Sequence, residues 1–178
     1  MKTFWQRSVL VVAIVCLAVV GTLLWRAATA PPDGFDPKKN VLAPESRSFL
    51  LGSEEFVLLS LDPNRLDADA SGTTNEAFHR YRVLGKGMVA DRKLREGLVQ
   101  SLAAGIKQSG GDVAKCFNPR HGIHARLGTK TLDVVICFEC AYVQFYRDQS
   151  RTGLFIARDP EKNFNAALQQ LKLPVAKD

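Results

Sequence analysis

Apolar residues are set out along this chain in three rhythms, and each predicts a different kind of element. From Val9 to Trp25 they run without a break, VLVVAIVCLAVVGTLLW, seventeen residues lacking any charge. At Phe56–Leu61 (FVLLSL) and through Thr131–Arg147 they take the composition and alternation of β-strands. Between Leu94 and Ile106 they recur every four residues, at 94, 98, 102 and 106, with Val99 and Ala103 widening the stripe into one helical face.

The unbroken run is long enough to cross a bilayer, whose hydrocarbon core takes about 20 helical residues and no fewer than about 17. Trp5 and Trp25 bracket it where amphipathic rings settle at a membrane interface, and Lys2 and Arg7 precede it. Only Arg26 is close on the other side, so the positive-inside bias expects a cytoplasmic N-terminus and a body outside the cell membrane, with membrane lipid as a partner. A cleaved signal peptide competes, because Ala28-Thr29-Ala30 resembles a cleavage site. Pro31 and Pro32 would then follow the scissile bond, and proline, with its locked φ and no amide hydrogen, suits a peptidase cleft poorly. Lipid attachment at Cys16 is opposed by bulky Val15 before it. The expected organisation is a membrane anchor over 1–30, a Pro-rich tether over 31–53 and an extracytoplasmic domain over 54–178.

Within that domain, Asp62-Pro63-Asn64 reads as a turn and Asp67–Asn75 as a polar loop without the ligand spacing of a calcium site. A second strand is expected over Tyr81–Val89, bent by Gly85 and Gly87. Asp91 should cap the helix and Gly110-Gly111 end it. Short strands follow at Val113–Phe117 and Gly122–Leu127, then a Gly128-Thr129 hairpin turn, the long strand Thr131–Arg147 and a last strand, Gly153–Ala157. A final helix starts at Asp159-Pro160-Glu161 with Phe164, Leu168 and Leu171 inward. Adjacent strands on short turns imply an α+β, two-layer domain, a mainly antiparallel sheet with helices on one face.

Charge changes little in this picture. The net +6 includes Lys2, Arg7 and Arg26 at the apolar segment; of the 24 basic residues these leave 21 against 18 acids, interleaved with them. Nucleic-acid binding needs a basic cluster, so no nucleic-acid partner is expected.

Candidate chemistry gathers in Cys116-Phe-Asn-Pro-Arg-His-Gly122 and Ile136-Cys-Phe-Glu-Cys140. Over roughly residues 80 to 147, these two blocks resemble a group of bacterial exported or lipid-anchored proteins sharing a CFxPRHG plus ICFxC signature. The group has no established activity, so the resemblance implies a compartment and no mechanism.

Read from the residues, a Gly128-Thr129 turn sets His124 opposite Asp133 and Arg120 opposite Cys137, and brings Cys116 near Cys140. A disulfide from Cys116 to Cys140 or Cys137 is then within reach across neighbouring strands, and is favoured outside the cytoplasm. Strand alternation sends Cys137 and Cys140 to opposite faces, against a thioredoxin-like pair. Cys116, His121, Cys137 and Cys140 also make up a standard zinc set, provided a bulge at Phe138-Glu139 turns both sulfurs inward. Unlinked buried thiols are the third reading. Arg120, His121 and Glu139 form a candidate anion or carboxylate contact; the plainer reading is that they satisfy buried carbonyls and one another. None of G-x-S-x-G, H-E-x-x-H, a Gly-rich phosphate loop or G-x-G-x-x-G is present. The expectation is a membrane-tethered accessory or interaction module that is non-enzymatic and needs no cofactor, with a metal (zinc) or thiol/disulfide site as the alternative.

Overall fold

The computed structural model describes residues 35–65, 76–114 and 117–176. The expected membrane span with Trp5 and Trp25, the Asp67–Asn75 loop and Cys116 lie outside these residues. Among the described residues no helix is long and apolar enough to cross a membrane.

The unit to which the described residues belong is α+β. Helix α1 (Pro44–Gly52) leads into strand β1 (Glu55–Arg65), the small hairpin β2 (Ala77–Phe78) and β3 (Tyr81–Met88), and helix α2 (Arg92–Gln108). Strands β4 (His121–Leu127), β5 (Lys130–Cys137), β6 (Tyr142–Arg147) and β7 (Ser150–Phe155) follow, and helix α3 (Glu161–Gln170) closes the order. The strands form one antiparallel sheet in the order β2-β3-β1-β4-β5-β6-β7. From β4 to β7 it is a plain meander. Gly128, at φ +58, makes the tight turn that pairs Leu127 with Lys130. α2 starts where the Asp91 carboxylate accepts from the backbone N–H groups of Lys93 and Leu94.

Four expectations are corrected. The tether does not extend to Ser53, because α1 lies within it and buries Phe49 and Leu50. Pro44 does not prevent this helix; it occupies the first turn, where its missing N–H would have had no partner. Asn40, also in the supposed tether, is buried and pinned to the body: its amide donates to the carbonyls of Ile106 (2.6 Å) and Phe155 (3.1 Å) and accepts from the Phe155 N–H (2.9 Å). The supposed long strand is two strands, broken by a turn at 138–141 where Ala141 takes φ +54. Asp62-Pro63-Asn64 does not end β1 but is passed over as an irregularity in its pairing with β3, a place where proline's lack of a donor does no harm. Lastly, Val113, Ala114 and Phe117 are not in a strand.

The three helices of the described residues pack on one face of the sheet. Their Leu50, Leu98, Leu102, Ile106, Phe164 and Leu168 share a core with Phe56, Leu58, Ile123, Val134 and Ile136 from the strands. The helices come close because Gly105 of α2 has no Cβ; one placed there would stand 2.5 Å from Pro160 Cγ. On the opposite face the strands gather a smaller cluster of Leu59, Leu61, Tyr81 and Val135, edged by Phe78, Phe117 and Tyr146, and among the described residues no helix covers it. The functional question therefore turns on that second face.

Candidate binding site

Antiparallel register writes two rows of side chains across the helix-free face. One runs Val57, His124, Asp133, Tyr146, Arg151; the next runs Leu59, Gly122, Val135, Gln144, Gly153. The first row is polar across strands that are apolar on their other face, and it is the feature that asks for an explanation.

Asp133 is its centre. One carboxylate oxygen is held by His124 Nδ1 at 2.6 Å, and the other by His79 Nε2 at 2.8 Å. His79 is not in the row at all. It sits with Arg80 in the two-residue turn between β2 and β3, and both take positive φ, 47° and 76°. Paired positive φ matches the twist of a tight hairpin, but the positions usually go to Asn or Gly because a Cβ is strained there. The hairpin folds over the sheet because Gly122 leaves room for Phe78, whose ring lies 3.0 Å from where a Cβ would be. That places the His79 ring flat on Tyr146, with centroids 3.8 Å apart and planes 16° from parallel. Tyr146 in turn donates from its hydroxyl to Gln144 Oε1 at 2.6 Å, which leaves the Gln144 amide NH2 as a donor.

His79, Gln144 and Tyr146 wall a cleft of about 470 Å³, together with Pro63, Asn64, Tyr81, Phe117, Asn118 and Arg151. Its size falls within the range of small-molecule sites, about 300–1,000 Å³. Family models, curated proteins and solved structures all give no match to this chain. The reading of the cleft therefore stands on its own geometry.

The residues singled out by sequence are divided by the fold. Cys137 ends β5 and Cys140 sits in the turn, their Cα atoms 5.2 Å apart, and they form a disulfide. Strand alternation does not part the two sulfurs, because the strand stops at Cys137. The disulfide is buried and tied to the preceding loop: Asn118 N–H points to Cys140 Sγ (3.2 Å), and Cys137 Sγ lies 3.3 Å from the Asn118 carbonyl. Joined sulfurs are not thiolates, so Cys137 and Cys140 cannot serve as zinc ligands in this state. Among the described residues no group of three His, Cys, Asp or Glu side chains converges as a metal site.

Arg120 and His121 do not share a spot either. Arg120 pairs with Glu139 at 2.6 Å and holds that carboxyl below its usual range. His121 turns to the helix side, 1 % exposed, between Phe138 and Phe164, with Nε2 against Asn165 Oδ1 at 2.8 Å. Burial pushes its pKa down to about 4; the Asn165 bond raises it by less, and the Arg120 charge lowers it further. It is a neutral core histidine. The His124–Asp133 pair was visible in the hairpin register. His79, Tyr146 and Arg151 carried no sequence signal, since they meet only when the sheet curls and β6 turns back on β5.

Proposed function

We propose that the chain is a single-pass membrane-anchored protein whose extracytoplasmic body is a non-enzymatic accessory or interaction module, taking its ligand in the cleft on the helix-free face. The observation that carries the reading is His79. Its backbone occupies a left-handed conformation that costs an ordinary residue about 1–2 kcal/mol, and strain of this kind is held only where the surroundings over-determine it, commonly at binding and catalytic sites. Here Asp133, Tyr146 and the seat of Phe78 on Gly122 do so, and the ring borders a cleft. The rest of the wall is Pro63, amides, aromatic rings and a guanidinium, groups that hold a ligand; among the described residues no serine, threonine, cysteine or carboxylate lines it. The anchoring part of the proposal rests on the charge-free run Val9–Trp25 and its bracketing tryptophans.

Expression of the full chain in a bacterial host tests both parts. The protein is expected to stay with the membrane through alkaline carbonate washing, and its body to be digested by protease added to spheroplasts. A washed-off protein, or a body shielded from external protease, overturns the anchoring and orientation. A broad panel of hydrolase and oxidoreductase substrates should show no turnover; turnover abolished by His79→Gln would overturn the non-enzymatic reading.

A further inference from the structure

The cleft has a charge and a texture as well as a volume. Arg151, paired across strands with Tyr146, extends from the edge strand β7 into its wall, and among the described residues it has no ion-pair or hydrogen-bond partner. The Gln144 amide is oriented by Tyr146 so that its NH2 group is also available. Asp133, the one acid of the row, lies behind His79 with each oxygen already taken by a histidine nitrogen, and it is not part of the lining. A cleft that offers a guanidinium and an amide donor, and among the described residues no competing carboxylate in its lining, is complementary to an anion. The rest of its wall is Pro63, the amides of Asn64 and Asn118, and ring surfaces, Tyr146 beneath His79 and the edge-on pair Tyr81 and Phe117.

We propose that the cleft binds a small monocarboxylate carrying an aromatic or other apolar body, its carboxylate on Arg151 and Gln144 and its body against Tyr146 and Phe117. Guanidinium and carboxylate match as two parallel charge-assisted hydrogen bonds, which gives arginine its preference for this group. The apolar body displaces water from the ring surfaces, which a bare inorganic anion cannot do. The proposal rests on the reading of the cleft as the ligand seat and names what that seat takes.

Four simple probes test it on the full chain in detergent micelles: benzoate, benzamide, benzylammonium and inorganic phosphate. Binding is followed by NMR through the ring Cε1–H signals, which are few because the chain has only 3 histidines. Benzoate is expected to shift the His79 signal saturably, with the other three at least about tenfold weaker, benzamide and benzylammonium for want of the charge-assisted contact and phosphate for want of the apolar body. Arg151→Gln, an exposed edge-strand change that leaves the fold intact, should weaken benzoate about tenfold and leave benzamide unchanged. Benzamide or benzylammonium binding as tightly as benzoate would overturn the anion preference while keeping the cleft as a ligand seat. Phosphate matching benzoate would overturn the apolar body. No shift of His79 with any probe would overturn the inference and the cleft reading together.

Discussion

Acidification from pH 7.5 to 5 should destabilise this domain through one buried side chain, His121. In the unfolded chain its imidazole takes up a proton near 6.5, but in the folded protein only near 4, because protonation would leave a cation among Phe138 and Phe164. Between those two values the unfolded state holds the extra proton, so falling pH draws the equilibrium toward unfolding. The contribution of His121 is therefore whole above 6.5, declines as pH falls from 6.5 to 4, and levels off below. At about 1.4 kcal/mol for each pH unit of that interval the full loss is about 3 kcal/mol, of which about 2 kcal/mol has gone by pH 5. Urea unfolding followed by far-UV circular dichroism at pH 7.5, 6 and 5 measures it, with His121→Gln as the non-titrating reference. Subtracting the two curves removes the carboxylates. Asp62, held low chiefly by the Asn64 N–H, and Glu139, held low by Arg120, lose their stabilisation only at still lower pH. A wild-type minus variant difference that stays constant within about 0.5 kcal/mol over this range would refute the reasoning.

Three further outcomes are expected by the same assay at neutral pH. Asn40→Ala removes three hydrogen bonds to Ile106 and Phe155 and leaves their backbone groups buried, so it should cost about 2–4 kcal/mol; a loss under about 0.5 kcal/mol would return that segment to a tether. Reduction of Cys137–Cys140, which closes a loop of sequence separation 3, should lower stability by about 2 kcal/mol, and unchanged stability would contradict a cross-link that restrains the unfolded chain. Arg80→Gly should raise stability by about 1 kcal/mol, because an exposed residue at φ 76° carries strain that glycine does not; a destabilised variant would refute the assignment of strain to this turn.

The sequence alone determined those features that a few consecutive residues settle among themselves. The stripe from Leu94 to Ile106 and the Asp91 cap specify α2 because a helix bonds each residue to one four places away. Gly128-Thr129 specifies the β4–β5 turn, and with it every partner along that hairpin, including His124 opposite Asp133. Tertiary structure decided the rest. Phe138-Glu139-Cys140-Ala141 has the composition of a strand, and it turns because Ala141 adopts a left-handed conformation beside a disulfide. That turn reverses β6 and puts Tyr146 beside Asp133, and the next turn, at 148–149, brings Arg151 into the same row. α1 forms in a Pro-rich stretch because burial of Phe49 and Leu50 outweighs weak local preference. His79 arrives over Asp133 from 54 residues away because Phe78 beds on Gly122, a contact between side chains that no local pattern encodes. Periodicity reports which face of an element is apolar; only the folded packing decides which polar groups then meet.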